Sequence, residues 1–366
     1  EAAGLTKKIG DAVLRPHQIW KQKTENGYRA GFSLPKGLSS EDFKKKELAV
    51  SEALGGDVKF SYERKGQVMM EVNQTVLEDH YEYSLVKYSR PVEIPAGHSR
   101  SGFQSINFSD RISSILVGAM SGWGKSSFLR MALTNLILNH KGDPHILKLH
   151  LVDFKFGAEF GIFQNNSMVQ TFADDFGPTL ELVYYLEDMA KKRYRLFKKH
   201  GVLKIGKYNQ IAEPLEYHLV VVDEAASLAP RRDILEGFIL LARLCRACGI
   251  YFIFSTQNPT VDVIPSHLKA NCQARLAFRV AAEVNSRVIL DRSGAEDLSY
   301  RGRGILKTTD FIEIQVPFLD EDEAAKLIAP YRSGIKPIRV EPIPKADPGE
   351  PKGVISLADY KRLRCD

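Results

Sequence analysis

From residue 106 to residue 333 the chain alternates short, continuous apolar runs with longer stretches in which apolar residues recur every three or four positions. The runs are ISSILVGA (112–119), ILKLHLVDF (146–154), YHLVVVDE (217–224) and GIYFIFST (249–256). Each is apolar on both faces and ends in small or polar residues, the pattern of strands in a parallel sheet covered by helices on both sides. An α/β domain with a mostly parallel sheet is therefore predicted over 106–333. Before it, residues 27–105 read as a small α+β domain. GYRAGFSLPKG alternates like a strand and stops at Pro35 and Gly37. Ser39 and Ser40 open a helix that Gly55 closes, and DVKFSYERKGQVMMEV gives two strands around Lys65-Gly66. Residues 1–26 are polar and basic with weak helical character, a lead-in. Residues 334–366 hold prolines at 337, 342, 344, 348 and 351 and read as an extended tail, with one short helix expected at SLADYKRLR.

Composition narrows the class. With 44% apolar and 26% charged residues in 366, the chain is too apolar for wholesale disorder. No apolar run approaches the roughly 20 residues that span a bilayer. The start, EAAGLTKKIG, has neither Met nor an apolar signal region, so a processed chain or a fragment is expected, with any membrane anchor outside it. The surplus of 51 basic over 45 acidic residues tolerates a polyanionic partner without demanding one. Cys245 and Cys248 form a single C-x-x-C, and Cys272 and Cys365 stand apart, which is no zinc-site spacing. Reduced cysteines packed as small apolar residues on a helix, in the cytoplasm, are expected.

Three motifs carry candidate chemistry. AMSGWGKSS, comprising Ala119, Met120, Ser121, Gly122, Trp123, Gly124, Lys125, Ser126 and Ser127, lies between a predicted strand and a predicted helix. It fits a phosphate-binding loop whose first glycine is replaced by Ala119. Its glycines let backbone N–H groups face a phosphate, and the helix N-terminus adds its dipole. Lys125 would reach the β- and γ-phosphates of ATP and Ser126 would hold Mg2+. In HLVVVDEAASL the strand ends in Asp223, which can reach the magnesium shell, and Glu224, which can polarise the attacking water. In FIFSTQNP the strand ends in Thr256-Gln257, which places Gln257 beside the γ-phosphate. Lys125→Ala is expected to abolish turnover with the fold intact, since Lys125 contributes charge and no core packing.

The run STQNPTVDVIPSHLKANCQARLAFRVAAEVNSRVILDRSGAEDL, with DMAKKRYRLFKKHGVLKIGKYN and RLCRACGIYFIFSTQ, resembles the FtsK/SpoIIIE family of DNA-pumping ATPases in collinear order across 103–332. The segment 27–72 resembles that family's preceding small domain. The resemblance implies a RecA-like P-loop ATPase that forms a ring, usually a homo-hexamer, around double-stranded DNA, with ATP between subunits. It implies an arginine finger in trans at Arg246 and a DNA contact at Arg287 in a pore loop. Asp153 and Lys155 in LVDFK resemble the family's strand-end Asp-Pro-Lys, with Phe154 in place of proline.

The departures are specific. Glu283 stands where the family's pore loop carries Lys, Trp123 enters a loop that favours small residues, and the orientation-reading winged helix is missing. The basic stretch Lys191, Lys192, Arg193, Arg195, Lys198 and Lys199 reads as a solvated helix face. The function implied is an ATP-driven translocase of double-stranded DNA, of the short form found in Gram-positive conjugative elements or serving chromosome or plasmid segregation. Its place would be the cytoplasmic face of the membrane, with contact only through segments outside this chain. Three alternatives stay open: a type VII secretion ATPase engaging polypeptide, a nucleotide-switched assembly module without motor activity, and a small-molecule kinase.

Overall fold

The computed structural model describes residues 5–333 except 10, 11, 25, 65, 110, 156 and 262. The tail 334–366, with its expected helix and Cys365, lies outside the described residues. The chain divides into one unit of residues 1–78 with 98–103 and a second of 79–97 with 104–366.

In the first unit, β1 (Lys7–Ile9) pairs with β2 (Ala12–Leu14), and β3 (Gln18–Thr24) joins β4 (Gly27–Ser33). The lead-in is thus strand rather than helix. QIWKQKT is an edge strand exposed at most positions, so its polar residues need no core. Trp20 lies across from Gly31, where a Cβ would sit 2.2 Å from the indole nitrogen; the missing side chain makes room for the ring. Two short helices, α1 (Ser40–Lys44) and α2 (Glu47–Leu54), replace the single helix expected from periodicity. Ser39 and Asp42 form a reciprocal capping box on α1, and Gly55 closes α2 in the left-handed region. β5 (Asp57–Arg64) and β6 (Gln67–Asn73) complete a sheet of order β3-β4-β6-β5. Ala30, Phe43, Val58, Phe60, Val68, Met70 and Val72 form its core.

A ten-stranded sheet falls in the second unit except for residues 98–99 and 102–103, in the two strands at one end of it. Its strands are β7 (Glu93–Ser99), β8 (Gly102–Asn107), β9 (Ser114–Gly118), β10 (Leu147–Asp153), β11 (Val169–Ala173), β12 (Tyr217–Asp223), β13 (Ile250–Thr256), β14 (Ala274–Phe278), β15 (Arg303–Lys307) and β16 (Phe311–Gln315). Their order is β11-β10-β12-β13-β9-β14-β15-β16-β7-β8. From β11 to β14 all neighbours are parallel, and β14, β15 and β16 pair antiparallel. β7 and β8 extend this sheet although they fall in the segment 27–105 expected to form the small domain.

The apolar runs split their side chains between two cores by strand alternation. Leu116, Val220, Val222, Phe252 and Phe254 face α4 (Phe176–Lys199) and α6 (Arg232–Leu244). Ile115, Val117, Leu219, Val221 and Ile253 face α3 (Lys125–His140). Between α4 and α6 lies α5 (Ile205–Tyr208), followed later by α7 (Ser266–Asn271), α8 (Glu283–Leu290) and α9 (Glu321–Ile328). No described helix is long and apolar enough to cross a membrane. Cys245, Cys248 and Cys272 are free and buried, the first two on a 3-10 turn (Cys245–Cys248) rather than an α-helix. Arg193 is not part of a solvated face: it is 3% exposed and donates to the carbonyls of Cys248 and Glu216 at 2.7 and 2.8 Å. The rest of the stretch fits the expectation better, with Lys192, Arg195, Lys198 and Lys199 exposed.

A polar chain crosses the apolar sheet. Thr171 hydrogen-bonds His150 Nδ1 at 3.0 Å, His150 Nε2 meets His218 Nδ1 at 2.8 Å, and His218 Nε2 meets Glu216 at 3.2 Å. The two imidazoles lie edge to edge and nearly coplanar, with centroids 5.1 Å apart, and the Tyr185 ring lies 6.0 and 6.5 Å from them. Burial holds His150 well below the ordinary histidine range and brings His218 down to about 4. Both rings are therefore neutral in the fold, whereas in the unfolded chain they protonate near pH 6.5. The stability they support is present above pH 6.5 and is lost as pH falls toward 4. The expected outcome is a His218 ring titration centred near pH 4 by NMR, with a melting temperature falling by several degrees over the same window. A titration near 6.5 would contradict the neutral pair.

Candidate functional site

Parallel pairing aligns the strand ends. Asp153 is in register with Asp223 on β10 and β12, and Thr256 is in register with Gly118 on β13 and β9. Because β13 lies between β9 and β12, its last residues sit between the phosphate-type loop and the Asp223-Glu224 pair. Lys125, Ser126, Asp223, Glu224 and Gln257 are thus brought to one edge.

The loop after β9 is held by the last residue of β13 and by the residues flanking β14 and β15. Ala119 N–H donates to Thr256 O at 3.2 Å, Met120 N–H to Arg279 O at 2.8 Å, and Gly302 N–H to Trp123 O at 3.1 Å. Gly122 (φ +77°) and Gly124 (φ +119°) take the left-handed turns that the loop needs. Ser121 and Gly122 are exposed. Gly124 caps α3 without any side-chain hydrogen bond, so the first-turn N–H groups face outward, ready for an anion. Trp123 is half-buried against the α3 core, with the Arg279 guanidinium 4.7 Å from its ring centroid. Its ring is a packing element, and the cation over it adds a favourable contact. Ser127 is half-buried, and its hydroxyl has no hydrogen-bond partner.

Lys125 is 2% exposed and its ammonium is bound to Asp223 Oδ1, which also accepts from the Ser255 hydroxyl at 2.8 Å. The other oxygen of Asp223 has no hydrogen bond, and Lys155 Nζ stands 3.7 Å from it. Lys155 also lies 3.8 Å from Glu224 Oε2. Glu224 adopts φ +55°, a left-handed conformation costing about 1–2 kcal/mol for a non-glycine residue. Its carboxylate accepts from the Thr256 hydroxyl at 2.7 Å and from Gln257 N–H at 3.0 Å. Thr256 and Gln257 therefore orient the acid.

A carboxylate that sequence reasoning missed completes the cluster. Glu159 accepts a hydrogen bond from the Ser126 hydroxyl at 2.7 Å, and burial raises its carboxyl above the ordinary range. The open oxygen of Asp223 and the Ser126 hydroxyl are hard oxygen donors of the kind magnesium takes alongside phosphate oxygens, so the residues fit that ion.

Two expected residues lie apart from this edge. Arg246 is exposed on the 3-10 turn that precedes β13, at the opposite end of the strand. Seven residues at about 3.3 Å each put it some 23 Å from its own phosphate loop. Arg287 is exposed on α8 and pairs one turn away with Glu283, Nε to Oε1 2.8 Å. Asn285 of the same helix donates to Pro259 O at 2.9 Å, and Ile289 fills the space beside Gly118, where a Cβ would lie 2.0 Å from Ile289 Cδ1.

Residues 74–238 match the FtsK/SpoIIIE family. The chain is 33% identical over 236 residues to the DNA translocase SftA of Bacillus subtilis strain 168, covering 61% of this chain and 24% of that protein. It is 30% identical over 267 residues to the DNA translocase FtsK of Tropheryma whipplei, covering 68% of this chain and 36% of that one. The chain thus spans about a third or less of the length of these curated relatives. Among solved structures, the pCW3 conjugation coupling protein TcpA, in monomer form with ATPγS, aligns over 86% of this chain and 93% of its own. That alignment has a TM-score of 0.64 and 23% identity. The cytoplasmic domain of the type VII secretion ATPase EccC of Thermomonospora curvata aligns over 75% of this chain and 35% of its own, with a TM-score of 0.60 and 21% identity. These two likenesses bear on the fold alone: a central, mostly parallel sheet with helices on both faces.

The two loop glycines make different demands. At Gly124 a Cβ would fall 2.8 Å from the Gly302 backbone, whereas at Gly122 it would meet nothing within 4 Å. Gly122→Ala should carry backbone strain alone, about 1–2 kcal/mol. Gly124→Ala should add a clash that opens the loop, with a lower melting temperature and weaker binding of an ATP analogue by calorimetry. Equal effects at both positions would contradict the packing.

Proposed function

With an FtsK/SpoIIIE domain across residues 74–238, we propose that the chain is the motor portion of an ATP-driven translocase of double-stranded DNA. The observation that carries the reading is the meeting of Lys125, Ser126, Asp223, Glu224 and Gln257 at one sheet edge. The loop 119–127 would hold the phosphates, with Lys125 moving from Asp223 onto the β- and γ-oxygens. Ser126 and Asp223 would hold Mg2+, which neutralises phosphate charge when bound. Glu224, held by Thr256 and Gln257, would accept a proton from the attacking water.

Arg246 is out of reach of its own site. In this reading it acts in trans, on the nucleotide of a neighbouring copy, within a homo-hexameric ring on the cytoplasmic face of the membrane. Conjugative transfer is the role favoured, on the strength of the TcpA-like fold and the identity to DNA translocases. Arg287 would touch the DNA backbone, and its charge is partly spent on Glu283. That pair, beside the exposed Val284, supports a second reading in which the moving substrate is polypeptide.

Lys125→Ala is a poorer blank than the sequence suggests. Removing Lys125 takes the direct ammonium partner from buried Asp223 and leaves it the Ser255 hydroxyl and the more distant Lys155 at 3.7 Å, so the substitution carries a stability cost as well as a loss of charge. Glu224→Gln keeps the acceptor oxygen for Thr256 and Gln257 and is the better control. The expected outcome is an ATPase rate raised strongly by linear duplex DNA and little by single strands or unfolded polypeptide, weakening steeply with salt. Glu224→Gln should bind ATP and turn it over about a hundredfold or more slowly. Arg246→Ala should be inactive alone and regain activity when mixed with Glu224→Gln subunits that supply Arg246. Stimulation by polypeptide alone would move the assignment to the second reading, and no rescue on mixing would remove Arg246 from the site.

A further inference from the structure

The segment that follows β10 is held by one carboxylate. Asp153, fully buried at the strand end, accepts from Lys155 N–H at 3.0 Å through Oδ1, and from Glu159 and Phe160 N–H at 2.9 and 3.0 Å through Oδ2. Gly157 turns the chain with φ +81°. The result fixes the backbone at Glu159 and aims its side chain at Ser126.

A hydroxyl has one proton to give and two lone pairs. At Ser126 the proton goes to Glu159 Oε2, which leaves the lone pairs for a metal ion and raises the basicity of the oxygen. Charge acts in the same direction. Asp153, Glu159, Asp223 and Glu224 are four carboxylates, faced by the ammonium groups of Lys125 and Lys155. A bare nucleotide polyphosphate entering here meets repulsion from Glu159, while a divalent cation turns the same carboxylate into an attraction.

We propose that Glu159 is a positioning residue, acting through the Ser126 hydroxyl, that makes nucleotide binding at this site depend on a divalent cation. The proposal rests on the nucleotide-site reading above and adds a residue to it.

The test is binding of a non-hydrolysable ATP analogue by calorimetry, with Mg2+ and with EDTA, which requires no turnover. In the wild-type chain Mg2+ should tighten binding. In Glu159→Ala the gain from Mg2+ should shrink by about tenfold or more, while affinity in EDTA stays the same or rises. Glu159→Gln, which keeps an acceptor oxygen but no charge, should fall between the two and decides the matter if the alanine variant fails to fold. A wild-type ratio of affinities in both variants would overturn the proposal and leave the nucleotide site standing. Equal loss with and without Mg2+ would mark a merely structural side chain and overturn it as well. A wild-type chain that binds no nucleotide under either condition would overturn the site reading itself.

Discussion

The register of the parallel strands is the constraint on which the rest depends. Asp153 pairs with Asp223, and Thr256 pairs with Gly118, so strands far apart in sequence end level with one another. No individual side chain chooses this. Parallel ladders place every C-terminal end on one edge, and a one-residue slip would turn each inward side chain to the opposite face. Asp223 would then exchange places with Val222 and enter a hydrophobic core. The apolar runs LVVV and YFIF thus fix the position of the acids beyond them.

Much of this was legible from the chain. The strand runs, the loop AMSGWGKSS and the acids after HLVVV have strong local signals, because apolar runs, glycines and strand-end carboxylates leave marks in sequence. Glu159 has none. It lies in an irregular turn, and its role comes from three backbone N–H groups converging on Asp153, a three-dimensional fact. The only available cue was an acid after a strand end followed by a Gly-containing loop. Arg193 misled for a related reason: its neighbours Lys192 and Arg195 are solvated, and one buried guanidinium in a basic helix is indistinguishable by composition. The edge strand β3 was obscured because an edge exposed to water can be polar nearly throughout.

Charge in this unit is kept under strict local control. Lys125 is matched by Asp223, Arg287 by Glu283, and the two sheet histidines avoid charge altogether. Buried ion pairs contribute little net stability, and their removal one partner at a time is severe. A site built this way holds its geometry through mutual dependence among its charged groups, so single substitutions reach further than the contact they delete.

Gly118 and Ile289 bear on how motion leaves the site. Ile289 occupies the volume that a side chain at Gly118 would fill, Asn285 grips the chain leaving β13, and Arg279 holds Met120, all within the stretch that ends in α8. The Ile289 contact leaves no room for a methyl group at Gly118. A shift at the end of β9 would press on α8 through direct contact, as one gear tooth seated in another, without a lever or a hinge between them.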